Sequence, residues 1–237
     1  MTKDVAQFYD QFANQQIKTG VNSRHLSIIS KLKKAGLQPN HSVLEVGCGI
    51  GTVSQLIAKN TPKGEVLAVD ISPESVEQAK SIWKGLNNLR FEVSDMKNFH
   101  KPDLLFDVIV FPDVLEHIPV EDHFALFETI KNHSHSDTFI FIHIPSPRFL
   151  EWMIANEPEK LQVIDQPLDT GELVSKLSAN EFYLEKMDTY ALFYKEKDYQ
   201  YFVFRKKQAL KKTNHRDKYT ILKERLWIKI KQKFSAF

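Results

Sequence analysis

The sequence predicts an open α/β sheet, largely parallel, with helices on both faces and an antiparallel pair of strands at its end. Three observations carry that expectation. Short apolar runs alternate with segments of helical periodicity along most of the chain. Most of those runs are apolar at successive positions rather than at every second one, as strands covered on both faces must be. The first run leads straight into three glycines within five residues, Gly47, Gly49 and Gly51, in a chain with only 8 glycines among 237 residues. That is about half the usual share of roughly 7%, so their clustering calls for a backbone reason.

Each element follows from local chemistry. Ser23 is placed to cap a helix whose inner face carries Leu26, Ile29 and Leu32 and which stops near Gly36. Ser42–Val46 reads as the first strand, and Thr52 opens a helix with Val53, Leu56 and Ile57 on one side. Pro62 and Gly64 break that helix before the second strand, Glu65–Asp70. Ser72 suits an N-cap and Pro73 a first helical turn, and Val76, Ala79, Ile82 and Trp83 follow at helical steps. Leu89–Val93, Asp107–Phe111 and Thr138–Ile144 are predicted as strands three to five, with a helix carrying Phe124, Phe127 and Ile130 between the last two. Pro145 and Pro147 then open an irregular segment reaching about Asp169, containing a short helix at Phe149–Ala155. A helix at Thr170–Leu177 precedes two final strands, Phe182–Tyr190 and Tyr199–Arg205, joined by the polar turn Lys195–Asp198.

Composition narrows the function classes. No run of eighteen apolar residues occurs, which excludes a membrane-spanning helix. The first residues lack the apolar stretch of a secretory signal. The single cysteine, Cys48, rules out an intrachain disulfide and a cysteine zinc cage. A soluble cytoplasmic protein is the expectation. Charge is split along the chain. Arg205–Phe237 holds twelve Lys/Arg and two Asp/Glu, a net of +10, whereas residues 1–204 hold 20 basic and 28 acidic side chains, a net of −8. An acidic body therefore carries a basic tail.

Four pieces fall at the carboxyl ends of strands, where open α/β sheets hold their ligands. The first is Val43–Gly51, a strand ending in a glycine-rich turn before a helix, where backbone can approach a ligand closely. A dinucleotide fingerprint needs glycines at first, third and sixth positions; here they occupy first, third and fifth, with Glu45 two residues ahead. An acid there would repel a pyrophosphate but suits an amino group or a sulfonium. The second piece is Asp70, ending the second strand, where a carboxylate can accept both hydroxyls of a ribose diol. The third is Ser94–Met96 and the fourth Phe111–Ile118, which contains Asp113 and His117.

These motifs resemble the class I S-adenosylmethionine-dependent methyltransferases, in particular the small-molecule branch, from about Val5 to Arg205. The resemblance implies a Rossmann-like sheet of seven strands in the order 3-2-1-4-5-7-6, the last strand antiparallel. It implies S-adenosylmethionine as cofactor, leaving S-adenosylhomocysteine after direct in-line displacement. By the same resemblance Gly47, Cys48, Gly49 and Gly51 line the cofactor and Glu45 orients its amino group. Asp70 and the adjoining Ile71 hold the ribose, Asp95 and Met96 the adenine, and Phe111, Pro112 and Asp113 flank the methionine end. Phe8–Ala13 resembles a segment that folds over the cofactor, which brings in Tyr9. Relatives carry a Pro-Gly-Gly-type turn where this chain has Ser134–Asp137, and a glycine near Asn180, which can take the same left-handed conformation. The implied organisation is a helical cap at 1–38, a core at 39–205 with a lid at about 145–175, and a tail at 206–237.

The acceptor would be a small molecule, methylated at a hydroxyl oxygen. His117 is the candidate general base, since histidine titrates near neutral pH; its bland alternative is packing at the start of a loop helix. His143, ending the fifth strand, would orient the acceptor or simply be satisfied by neighbours. His133 and His135 alternate on what reads as an exposed loop without a third ligand, so no metal site is expected. Arg148, Phe149, Trp152 and Met153 suit either a lid over the acceptor or core. Tyr219, Leu222, Leu226, Ile230, Phe234 and Phe237 recur at three- and four-residue steps, although Trp227–Lys231 alternates like a strand. Such a basic tail fits peripheral contact with an anionic membrane, a grip on nucleic acid, or a solvated extension. The acidic body argues against nucleic acid. Three rival readings follow: a membrane-surface enzyme acting on a lipid-linked sugar or quinone, an RNA methyltransferase, and a non-catalytic cofactor-binding module. The oligomeric state is not legible.

Overall fold

The computed structural model of the chain describes residues 20–97, 99–101, 103–162, 164–210 and 213–234. They form two compact units, which divide between Lys207 and Gln208. Tyr9 and most of the expected N-terminal cap lie outside the described residues.

The first unit holds one sheet of seven strands: β1 (Val43–Val46), β2 (Val66–Asp70), β3 (Leu89–Val93), β4 (Phe106–Pro112), β5 (Ser134–Pro145), β6 (Phe182–Tyr190) and β7 (Tyr199–Lys206). Their spatial order is β3-β2-β1-β4-β5-β7-β6. The first five run parallel to one another, while β7 runs antiparallel to both β5 and β6. Ser134–Asp137, read from the sequence as a turn, belongs to the long strand β5, offset from β4 by a bulge.

Side chains of β4 show why the strands read as continuous apolar runs. Successive residues point to opposite faces, so Val108 and Val110 enter one apolar cluster while Ile109 and Phe111 enter the other, all fully buried. One face is covered by α1 (Ser23–Ala35), α2 (Thr52–Asn60) and α3 (Pro73–Ile82), through Ile28, Leu32, Ile57 and Val76. The other is covered by α4 (His123–Asn132) and α6 (Thr170–Ala179), through Phe127, Ile130, Leu173 and Leu177. A further helix, α5 (Pro147–Asn156), follows β5 and buries only Leu150.

Local corrections have local causes. Asn22, not Ser23, caps α1: its side chain accepts the N–H groups of Arg24 and His25, and His25 Nδ1 accepts the Asn22 N–H in return. Leu26 and Phe124 face solvent, whereas Ile28 and Phe127 are fully buried. Ile29 and Leu32 in the first helix and Phe127 and Ile130 in the second are buried as expected, so only the outermost residue read onto each face turns to solvent. Glu181, at φ 68°, takes the left-handed turn expected of Asn180. His133 is no exposed loop residue. It is buried with Nδ1 and Nε2 against the carbonyls of Leu104 and Phe99.

Among its described residues the second unit contains one helix, α7 (Lys218–Phe234). Trp227–Lys231, which alternates like a strand, lies inside it.

Candidate active site

Strand β1 sits between β2 and β4, so the connections leaving β1 and β4 diverge to opposite sides of the sheet. A crevice opens at that point beyond the strand ends. It is a cavity of about 540 Å³ lined by Glu45, Gly47, Cys48, Gly49, Asp70 and Ile71 from the first two strand ends. Asp95, Met96, Pro112, Asp113 and His117 close it from the third and fourth. Four sequence-distant segments thus meet around one space of the size ordinary for a ligand site.

The turn after β1 places its glycines where only glycine is comfortable: Gly47, Gly49 and Gly51 have φ of 78°, 52° and 79°. A Cβ on Gly47 would collide with the Val114 side chain, and one on Gly51 would come within 2.6 Å of the Phe91 ring. The Gly47 and Cys48 N–H groups donate to the Val69 carbonyl at 2.8 and 3.0 Å, pinning the turn to β2. Gly49 donates to Asp70 Oδ2 at 2.7 Å, and Ser72 to Asp70 Oδ1 at 2.9 Å. Helix α2 starts directly at Thr52 with no side-chain cap. Its leading N–H groups therefore form a positive end beside the turn.

Glu45 is the least comfortable group in the crevice. It is fully buried, and neither carboxylate oxygen makes a hydrogen bond of good geometry among the described residues. Burial pushes its pKa up to about 8; the nearby Ser54 hydroxyl opposes that rise and the Asp70 charge adds to it. An uncompensated buried acid at a cavity wall is costly, and it is the feature a cationic ligand would relieve.

On the third strand end, Met96 adopts φ 64°, and Ser94 Oγ accepts its N–H at 3.0 Å. Asp95 Oδ1 accepts the Lys97 N–H at 3.0 Å and stands exposed at the rim.

Asp113 directly follows β4 at φ 56°, and its carboxylate is shared. Oδ1 accepts from His143 Nδ1 at 2.5 Å, and Oδ2 pairs with Arg24 Nε at 3.3 Å. Burial would raise the Asp113 pKa, but His143 and Arg24 outweigh it and hold the carboxyl below its usual range. Behind Asp113 the chain of contacts continues. His143 Nε2 meets Tyr190 Oη at 2.6 Å, Ser27 Oγ donates to that oxygen at 3.1 Å, and the His143 ring stacks on Tyr199 at 4.9 Å.

His143, expected at the cleft edge, is therefore fully buried behind Asp113 and does not line the cavity. Gly51 and Phe111 are not among the lining residues either: Gly51 packs toward Phe91 and Trp83, and Phe111 alternates away from Pro112 into the core.

His117 does face the cavity, from the short 3₁₀ turn Leu115–His117. Its Nδ1 lies 2.5 Å from the Ile164 carbonyl oxygen and 3.4 Å from Asp165 Oδ1. Beside it Glu116 is buried, its carboxyl pushed well above the usual range by burial and then by the Asp113 charge.

Sequence reading missed a second wall. Asn22, Arg24 and His25, from the start of α1, line the same cavity, as does Gln162 from the segment after α5. Burial, then the Arg24 charge, pushes His25 down to about 4, so its ring is neutral at physiological pH. The one available signal was three polar residues in a row opening a helix that is otherwise apolar on one side. Among the described residues no group of three or more metal-ligating side chains comes together.

These features suit S-adenosylmethionine. The buried Glu45 carboxyl would suit a ligand with a cationic amino group and sulfonium, the oriented Asp70 would suit a diol, and the three positive-φ glycines leave room for close approach of a ligand to the turn. The comparisons agree. Residues 43–136 match a family model described as "Methyltransferase domain". Malonyl-(acyl-carrier protein) O-methyltransferase 1 of Ilyobacter polytropus is 32% identical over 121 residues, 50% of this chain and 42% of that protein. Phosphoethanolamine N-methyltransferase 1 of Arabidopsis thaliana is 37% identical over 99 residues, 41% of this chain and 20% of that protein. The chain thus spans less than half the length of these curated relatives. Among solved structures, magnesium protoporphyrin IX methyltransferase from Synechocystis PCC 6803 with bound SAH has a TM-score of 0.59 at 18% identity, covering 86% of each chain; that likeness concerns the fold. Over residues 43–136 the chain thus matches a methyltransferase domain, and its sheet has the fold of S-adenosylmethionine-dependent methyltransferases of known structure.

Proposed function

We propose that the protein transfers a methyl group from S-adenosylmethionine to a hydroxyl oxygen of a small molecule, with His117 as general base. The observation that carries this reading is the anchoring of His117. A carbonyl oxygen only accepts hydrogen bonds, so the 2.5 Å contact to Ile164 assigns the ring hydrogen to Nδ1. In the neutral ring Nε2 is then the basic nitrogen. Asp165 Oδ1 lies 3.4 Å from Nδ1, and Nε2 stands 3.9 Å from Glu116 Oε1.

S-adenosylmethionine supplies an already activated methyl group on its sulfonium, so the residues mainly position and desolvate. Asp70 would hold the ribose hydroxyls and Asp95, beside Met96, the adenine amino group. Glu45 would face the cationic methionine end, and Pro112 and Asp113 would flank it. His117 would receive the acceptor's proton. A small acceptor is supported by the phosphoethanolamine in the name of one relative, an N-methyltransferase, and oxygen as the acceptor atom by the name of the malonyl-(acyl-carrier protein) O-methyltransferase.

The test is to incubate the protein with a cell extract and a labelled methyl donor, and to follow which metabolite gains one methylene in mass. Conversion of a hydroxyl to a methyl ether or ester supports the reading; labelling of an amine overturns the oxygen assignment. With the acceptor known, His117→Gln should lower kcat by about 10²–10⁴-fold while cofactor affinity is retained. An unaltered kcat would remove the base.

A further inference from the structure

We infer that α7 is a lipid-surface helix, which lies along an anionic membrane with its apolar face in the headgroup boundary. The inference rests on the second unit by itself, not on the methyltransferase reading. Placed at about 100° per residue, Leu222, Leu226, Tyr219, Ile230 and Trp227 fall within one arc of about 140°. All five are exposed, from 53% to 70%. Cations border that arc on both sides, with Lys218, Arg225 and Lys229 along one edge and Lys231 along the other. Lys223 and Lys233 fall inside the arc; Lys223 lies over the Tyr219 ring at 5.8 Å, and the long stem of a lysine lets its ammonium reach outward while the methylenes stay down. Ile221 and Ile228 lie on the opposite side and add nothing to the stripe.

The charge identifies the occupant. Residues 208–237 carry nine Lys/Arg and two Asp/Glu, a net of +7. A basic rim around an aromatic and aliphatic stripe matches an anionic lipid surface, which offers apolar depth and negative headgroups together. Nucleic acid would use the cations but leave the apolar stripe in water. Crossing the bilayer is excluded by the helix's own make-up: among the described residues no helix is long and apolar enough to span a membrane. A 17-residue helix reaches about 25 Å, and it can lie flat.

The experiment is co-sedimentation of the full chain with two kinds of vesicle, phosphatidylcholine alone and phosphatidylcholine mixed with phosphatidylglycerol, at low and high salt. Binding to the mixed vesicles should exceed binding to the neutral ones by at least about tenfold and fall with salt. The double variant Leu222→Asp, Leu226→Asp should lose it. Lys229→Glu with Lys231→Glu, which leaves the apolar stripe intact, should lose it as well. Equal binding to both vesicles, no binding to either, or binding retained in both double variants would overturn the inference. So would a tail-dependent gel shift with RNA in the absence of vesicle binding. Cofactor affinity of both variants, measured by calorimetry, should match that of the unmodified chain, so the outcome is separate from the fate of the methyltransferase reading.

Discussion

Gly49 gives its backbone N–H to Asp70 Oδ2 at 2.7 Å, which clamps the glycine turn after β1 to the end of β2 across 21 residues. With Ser72 donating to the other oxygen at 2.9 Å, the carboxylate is oriented at the cavity wall before any ligand arrives. These two backbone donors fix the direction in which the carboxylate faces at the wall.

Asp70→Ala should therefore weaken S-adenosylmethionine binding by about 1–3 kcal/mol, read by titration calorimetry. Unchanged affinity would remove the ribose assignment.

Gly47 cannot carry a side chain, because its φ of 78° and the Val114 side chain both stand against a Cβ. Gly47→Ala should cost about 1–2 kcal/mol for the left-handed backbone alone, with a larger loss of cofactor affinity as the turn shifts. Adding Val114→Ala should recover part of the loss. No recovery would mean that the contact with Val114 is not the cause.

Burial raises Glu45 to about 8, and the sign of its effect follows. In the unfolded chain this acid titrates near 4.5, so between about pH 4.5 and 8 the folded protein binds more protons than the unfolded one. Stability without ligand should fall as pH rises through that window. A cationic ligand prefers the anion, so S-adenosylmethionine should bind more tightly as pH rises and release a proton near neutrality. Calorimetry in buffers of different ionisation enthalpy measures that proton. Glu45→Gln should abolish both effects; a linkage that survives in that variant belongs to another group.

His143 holds a buried carboxylate rather than a substrate. His143→Ala leaves Asp113 with Arg24 alone and should destabilise the fold by about 3–5 kcal/mol in urea titration. Tyr190→Phe, which removes only the outer contact, should cost about 1 kcal/mol. If His143→Ala lost turnover at full stability, His143 would be a participant in the chemistry instead.

Legibility tracked locality. The glycine turn and the strands could be read because their causes lie within a few residues: positive φ after β1, continuous apolar runs in doubly covered strands, and Ser72-Pro73 at the start of α3. Capping by Asn22 rather than Ser23 was a one-residue ambiguity between two good caps. Leu26 and Phe124 misled because a helix with apolar residues on more than one side does not say which stripe faces the sheet. The site was half legible. Its strand-end residues recur in a motif, whereas Arg24, His25 and Gln162 reach the cavity from segments whose position depends on how α1 and the stretch after α5 pack. His143 looked reactive because it ends a strand at the right edge. Only the pleat shows that it turns toward Tyr190 and Tyr199 and not into the cavity.

The most direct measurement is titration of the full chain with S-adenosylhomocysteine, the stable product form, alongside its Asp70→Ala variant. Saturable binding at one molecule per chain, weakened in the variant, is the expected result. Absence of heat, or equal affinity in both proteins, would contradict the assignment of the crevice.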